Sequence, residues 1–379
     1  LPMQENPEIS KDKVHRYPCV VCGANLVFEP KNGKLTCPYC SHTEIIPTSA
    51  EQIEEHSYEA FLRPRQEMLQ PMATNAMQVS CNSCGAVITF TPPETAKQCD
   101  FCGDKIVAQP KAADPLVAPE GVLPFSVTQQ QASANLKTWL SSRWFAPSAL
   151  KTMAQTDKSS SIYIPYWTYD AYTTSHYSGE RGEYYYETEW YTETDAQGRQ
   201  QQKSRQVRKT RWYRASGTVE RWFDDVTVPA TKSLPQNYLE QLEPWDFGEL
   251  KAYEPAYLAG HKAQTYQVTL DEGFERFKQV AANVIDGDVR NDIGGDEQRV
   301  HNISTNYTAI TFKHLLLPVY AGAYRFNNKV YQIVINGRTG VVQGERPYSA
   351  FKIGCLIFSI IAVIIFIVLF FSAIAAISN

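Results

Sequence analysis

Eight cysteines fall into two quartets with one shared spacing, C-x2-C-x14-C-x2-C. Cys19, Cys22, Cys37 and Cys40 make the first, and Cys81, Cys84, Cys99 and Cys102 the second, offset by 62 residues. No other feature of the chain restricts its fold so tightly. A Cys-x-x-Cys turn sets two sulfurs on one side of a metal, and two such turns at the tips of facing hairpins close a tetrahedral zinc site. The spacing therefore predicts two tandem zinc ribbons, over 15–48 and 79–108, each holding a structural Zn2+. Glycine follows the second cysteine of three turns (Gly23, Gly85, Gly103), where a positive φ costs it nothing, and Ser41 stands at the fourth. Leu26, Phe28 and Pro30 recur as Ile88, Phe90 and Pro92, which points to a duplication. Paired disulfides are the alternative for each quartet, but the spacing favours metal. His42 is either a substitute ligand or a surface histidine.

The opposite end of the chain carries the second constraint. From Ile353 to Ile377 there are 25 residues without a charge, 17 of them Ile, Leu, Val or Phe. At 1.5 Å per residue this run would reach about 37 Å, enough to cross a ~30 Å hydrocarbon core. A single C-terminal transmembrane helix over 353–377, acting as a tail anchor, is the expectation. Arg325, Lys329, Arg338, Arg346 and Lys352 precede it against Glu345 alone. Positive flanks stay cytoplasmic, so the bulk of the chain is expected on the cytoplasmic face of the cell membrane. Eight free thiolates fit that reducing compartment, and the polar first thirty residues show no signal peptide. Cys355 falls at the expected membrane boundary, either as an acylation site or as a lipid-facing side chain.

Between these ends the sequence predicts a polar helical connector over 49–78, a linker over 109–124 containing four prolines, and a β-rich α+β domain over 125–350. A capping box from Thr128 to Gln131 opens a helix bearing Ala132, Leu136, Leu140 and Trp144. Residues 162–169 read as an aromatic strand. Between Glu183 and Ala215 an acidic arm (Glu183, Glu187, Glu189, Glu193, Asp195) precedes a basic one (Lys203, Arg205, Arg208, Lys209, Arg211, Arg214). A long charged hairpin accounts for both arms, with Asp195 facing Lys203, Glu193 facing Arg205, Glu189 facing Lys209 and Glu187 facing Arg211. Phe274, Phe277, Ala281, Val284 and Ile285 mark an amphipathic helix over about 270–292. Ile164-Pro165-Tyr166-Trp167 is echoed by Leu317-Pro318-Val319-Tyr320, a hint of an internal β repeat.

The twin ribbons, the Ile-Pro-Tyr-Trp strand at 164–167, Tyr257-Leu258-Ala259-Gly260, Leu316-Leu317-Pro318-Val319-Tyr320, and Ile335-Asn336-Gly337-Arg338-Thr339-Gly340 running to Gly344-Glu345-Arg346-Pro347 together resemble a bacterial family of membrane-anchored double-zinc-ribbon proteins. Its members are often labelled as similar to transcription factor IIB or to the primosomal helicase. The resemblance implies a neighbourhood of phage-shock and band-7 type membrane proteins, and a role in membrane organisation or envelope stress. It brings no catalytic residues. The helicase label does not suit this chain, which has no Gly-x4-Gly-Lys-Ser/Thr phosphate loop.

Three functions compete. A non-enzymatic adaptor or scaffold would use the ribbons as docking modules and meet the lipid bilayer and membrane-associated proteins, with oligomers allowed. Nucleic-acid binding is the alternative, but it needs cations to neutralise phosphates. Residues 15–50 carry three basic and two acidic side chains, residues 79–111 carry three of each, and the whole chain has 36 Lys and Arg against 40 Asp and Glu. Nucleic acid is therefore disfavoured. For an enzyme, neither a Gly-x-Ser-x-Gly elbow nor a His-Glu-x-x-His motif occurs. Asp286, Asp288 and Glu297 have calcium-loop spacing, but Arg290 and Asn291 occupy positions that such a loop cannot give them.

Overall fold

The computed structural model describes residues 17–47, 53–62, 116–142, 147, 160–194, 198–326, 329–345 and 347–377, together with short strands at 69–70, 77–80, 87–90, 96–98, 105–107 and 111–112. In those short strands, over 323–330 and over 368–377, the backbone alone is described.

The first ribbon is a three-stranded antiparallel sheet of β1 (Val27–Glu29), β2 (Lys34–Thr36) and β3 (Thr43–Glu44). Among its described residues, the polar connector is helical, as expected from its composition, over one short stretch alone. It holds β4 (His56–Ser57), one short helix α1 (Tyr58–Leu62) and β5 (Leu69–Gln70). β4 pairs with Thr311 and Phe312 of the main sheet, while Tyr58 and Phe61 pack against Phe274 and Phe312. Burying those rings competes successfully with a solvated helix. Further on lie β6 (Met77–Ser80), β7 (Val87–Phe90), β8 (Ala96–Gln98), β9 (Lys105–Val107) and β10 (Lys111–Ala112). The proline-rich stretch is drawn into the structure as well. Its β11 (Leu116–Val117) pairs with β5, and β12 (Gly121–Val122) enters the main sheet, with Val122 and Leu123 fully buried.

Helix α2 (Gln129–Ser141) begins at the expected capping box, with the Thr128 hydroxyl accepting from the Gln131 N–H, and it buries Ala132, Leu136 and Leu140. Trp144 lies outside the described residues. The main sheet is then built on β13 (Ser160–Thr194), β14 (Gln200–Pro229) and β17 (Glu297–Phe326), in the order β14-β13-β17-β12-β15, where β15 is Lys251–Ala252. α3 (Gln236–Glu240) and β16 (Lys262–Ala263) fall in the connection after β14. From Ile162 to Ala171 every residue of β13 is buried, because both faces of the strand are covered. A run apolar on both sides, such as Ile-Tyr-Ile-Pro-Tyr-Trp, suits a strand placed there.

The proline echo in the sequence corresponds to a local two-fold relation in the sheet. Pro165 lies opposite Leu316, and Tyr163 opposite Pro318. β16 runs parallel beside Ile162 and Tyr163, as β12 does beside Leu315 and Leu316. The Pro165 and Pro318 carbonyls each accept from the returning chain, at Ala230 and Gly337. Each half continues into an antiparallel hairpin, β13–β14 in one and β17–β18 (Lys329–Asn336) in the other, with β19 (Val342–Gly344) at the edge.

Helix α4 (Leu270–Ile293) covers one face of β13, β14 and β17 with Phe274, Phe277, Ala281, Ile285, Val289 and Ile293, a stripe at three- and four-residue spacing. The carboxylates with calcium-loop spacing are engaged elsewhere. Asp286 pairs with Arg290 at 2.7 Å, and Asp288 with Arg221 at 2.5 Å.

The charged hairpin forms, with a register different from the one expected. Thr194 faces Gln200 and Glu189 faces Arg205, so every partner is displaced by four residues. The displacement is even, and each side chain keeps its face. Gly198, at φ +80°, allows a tighter tip than the expected pairing required. Arg205 reaches Glu189 directly at 3.2 Å, Lys209 reaches Glu187 at 2.6 Å, and Lys203 bonds Glu193. Arg208 and Arg211 lie over the rings of Tyr184 and Tyr185 at 4.1 and 4.9 Å. Cations therefore divide between carboxylates and aromatic faces, a division invisible to charge matching alone.

The expected transmembrane anchor is not supported. The apolar C-terminal run does form a helix, α5 (Ala350–Ile377). Among the described residues, however, no helix is long and apolar enough to cross a membrane. The α+β fold class with a tail anchor, and the single-pass membrane placement inferred from it, are accordingly corrected to a mostly β fold built on one long-stranded sheet.

Candidate metal centre

Two chain reversals build the site. Pro18 bridges to Asn25 on either side of the Cys19–Cys22 turn, and Thr36 pairs with Thr43 around the Cys37–Cys40 turn. Their hydrogen bonds match. The Cys19 N–H donates to the Ala24 carbonyl and the Gly23 N–H to the Cys19 carbonyl; the Cys37 N–H donates to the His42 carbonyl and the Ser41 N–H to the Cys37 carbonyl. Gly23 has φ +76°, and Ser41, the residue that departs from glycine, still adopts φ +59°. The turn geometry imposes the left-handed conformation on whichever residue stands there.

The sulfurs converge as a result. The four Sγ atoms lie within 4.8 Å of one another, and the Cys19–Cys40 and Cys22–Cys37 pairs are each at 3.5 Å. Zinc–sulfur bonds of ~2.3 Å in a tetrahedron give sulfur separations of about 3.8 Å, so the quartet fits a tetrahedral ion. Cys19 and Cys37 are buried, while Cys22 and Cys40 face solvent. The Cys37 thiol is pushed down to about 6, first by the N–H of Cys40 and further by that of Tyr39. At Cys40 the N–H of His42 is outweighed by burial and the crowded sulfurs, which push the thiol up to about 12, so one thiolate forms readily in the quartet and its neighbours resist. His42 is no ligand in this arrangement: its Nε2 lies 3.4 Å from Glu44 Oε1. Cys81, Cys84, Cys99 and Cys102 lie outside the described residues.

The ribbon is fastened to the main domain. The Phe28 N–H donates to the Ala259 carbonyl at 2.8 Å, and the Phe28 ring meets Tyr257 edge-on at 5.6 Å. Gly260, at φ +82°, brings its backbone against Val27, where a Cβ would lie 2.8 Å from the valine side chain. Cys19, Leu26, Phe28, Leu35 and Cys37 share one buried cluster with Val122, Phe125, Tyr163 and Tyr320. His261 stands at this seam, stacked on Phe125 at 4.5 Å with Nδ1 bonded to Ser161.

A second polar cluster escaped the sequence reading. Asp170 is buried where both neighbouring strands bulge, at Asp225 (φ +48°) and Ala309 (φ +49°). It accepts from the Asp225 N–H at 2.5 Å and the Thr311 hydroxyl at 2.9 Å. Lys313 inserts its ammonium between Asp225 at 2.6 Å and Glu55 at 3.0 Å. Burial acts to lower the Lys313 pKa, but the bonds to Asp225 and Glu55 prevail and hold it above the usual lysine value. Burial raises that of Asp170. The available signal was one aspartate and one lysine set within otherwise apolar strands, and it did not say that the two would meet. Beside Asp225 a cleft of ≈ 520 Å³ is lined by Thr227, Glu243, Trp245, Arg276 and Val280. Thr227 bonds Glu243 there, so that carboxylate is already engaged.

No protein-family model matches this chain, and no solved structure matches it. A curated protein of Bacillus subtilis (strain 168), named uncharacterized protein YdjG, is 26% identical over 358 residues, covering 89% of this chain and 91% of that protein.

Proposed function

We propose that the chain is a non-enzymatic, zinc-stabilised adaptor that brings protein partners together, with zinc acting as structure. The observation that carries this reading is the closed quartet of Cys19, Cys22, Cys37 and Cys40, welded through Phe28 to the main sheet. Four thiolates fill a tetrahedral ion and leave no position for water or substrate. The metal then sets the shape of a surface and performs no reaction.

A second Zn2+ at Cys81, Cys84, Cys99 and Cys102 belongs to the same proposal. The strands bracketing that quartet support it. Ser80 pairs with Val87 and Gln98 with Lys105, the same register as Pro18 with Asn25 and Thr36 with Thr43 after the 62-residue offset. Metal analysis of the purified chain should give about two zinc ions per molecule. A value near one removes the second site, and a value near zero removes the ribbon reading. The adaptor role is tested by crosslinking in cells followed by mass spectrometry, comparing the parent with Cys37→Ser. Protein partners captured by the parent and lost by the variant support it. Equal capture by both, or turnover of a substrate at the quartet, overturns it.

A further inference from the structure

The main sheet continues as a two-stranded arm beyond the point where β17 ends. β17 pairs with β13 no further than Gly182 opposite Glu297, whereas β13 and β14 stay paired to Thr194 opposite Gln200. At about 3.4 Å per residue the arm projects roughly 40 Å. Two strands alone are marginal in water, and among the described residues both edges of this pair are open beyond Tyr184, whose N–H donates to Asp296 at 2.7 Å. β14 ends the strand order, and β13 has β14 as its partner over 183–194.

The two open edges carry opposite charge. Over 185–194, β13 holds Glu187, Glu189 and Glu193 and no cation; over 200–214, β14 holds Lys203, Arg205, Arg208, Lys209, Arg211 and Arg214 and no carboxylate. Open strand edges are templates for further pairing, and charge of one sign guards an edge against its own kind. Here it guards neither edge against the other. A two-fold dimer would set acid against acid or base against base, which costs energy across a ladder. Acidic edge against basic edge repeats chemistry already present inside the arm, where Arg205 meets Glu189 and Lys209 meets Glu187.

We infer that the arm is where one copy of this chain docks on the next, the basic open edge of β14 over 200–214 receiving the acidic open edge of β13 over 185–194. The contact is head-to-tail, so each copy keeps one edge of each sign free, and assembly does not stop at a pair. In the resulting stack every basic strand lies between two acidic ones. The inference is independent of the metal centre.

Sedimentation velocity on the full chain, over a dilution series in low and molar salt, tests it. In low salt the mass should rise with concentration past that of a dimer, and in molar salt it should fall to the monomer, since screening at ~1 M acts within about 3 Å. A companion variant replaces 184–210 by Asn-Gly, joining Glu183 to Arg211, which already face each other; it should remain monomeric in both. The exposed apolar side chains of α5 could also associate, but excluded salts strengthen that contact and the deletion leaves it in place. A monomer at every concentration, a plateau at the dimer, indifference to salt, or assembly of the arm-deleted variant would each overturn the inference. Zinc content of the same samples reports separately on the ribbon.

Discussion

Lys313 shows how much one side chain can decide. It is nearly buried among carboxylates, so removing it strands Asp225 and Asp170 in the sheet. Breaking a fully buried pair from one side costs about 3–5 kcal/mol; here Asp225 and Glu55 keep 32% and 44% of their side chains exposed, so water offsets part of the lost attraction and the cost falls below that range. Lys313→Met should still lower the melting temperature, and adding Asp225→Asn should recover part of the loss. Calorimetry on the two single variants and the double variant measures the coupling; simple additivity would show that the pair does not act as a unit. His261 supplies a pH dependence. Burial is the main reason its pKa falls to about 4, below the ordinary 6.5. Between those values the unfolded chain binds the proton and the folded chain does not. Stability from this group is thus complete above pH 6.5 and declines as the pH falls toward 4, by roughly 3 kcal/mol at 1.36 kcal/mol per unit. His261→Phe keeps a ring on Phe125 and should flatten that acid limb. Superimposable limbs for parent and variant would rule the assignment out.

At the scale of elements, the seam between ribbon and sheet turns on Val27 and Phe28. Gly260→Ala would force a Cβ onto Val27 at a residue held at φ +82°, and Phe28→Ala would empty the ring site beside Tyr257. The first change should cost about 1–3 kcal/mol through strain and overpacking, the second about 3–5 kcal/mol. Hydrogen exchange should show the loss at the Phe28 and Ala259 amides and in the strands over 162–167, with zinc still bound. Faster exchange in the ribbon alone would mean that it is an independent module. The elements that were legible in the sequence are those specified locally: the two Cys-x-x-Cys turns of the first quartet, the capping box at Thr128, the stripe along α4 and the existence of the charged hairpin. Those that were not depend on distant partners. The stretch over 109–124 reads as linker because its prolines are visible and the sheet neighbours of Gly121 and Val122, Leu315 and Leu316, are far away in sequence. The hairpin register failed for a related reason, since arginines settled on tyrosine rings that charge matching ignores. The echo of Ile-Pro-Tyr-Trp in Leu-Pro-Val-Tyr was real but gave no hint that the two strands pair with each other.

For the whole molecule, the cluster that joins Cys19 and Cys37 to Val122, Phe125 and Tyr320 would make a metal held by the quartet part of the main fold. Structural zinc contributes on the order of 10–16 kcal/mol in isolated finger peptides, more than a small ribbon can recover from its own apolar contacts. Without the ion, four thiols crowded within 4.8 Å have nothing to hold them together, and Leu26, Phe28 and Leu35 lose their fixed backbone. The surface they cover on the main sheet, around Tyr257 and Phe125, would then meet water. Chelation should consequently do more than unfold residues 17–47. It should lower the melting transition of the main sheet, increase binding of a dye that reports exposed apolar surface, and alter near-ultraviolet dichroism, because Phe28, Tyr257 and Phe125 all lie at the seam. Zinc returned before heating should restore all three signals together. If the main transition instead stays at its original temperature while the ribbon melts, the cluster is a contact between two separately stable bodies. Zinc would then govern the ribbon alone, and the adaptor's shape would depend on the metal only locally.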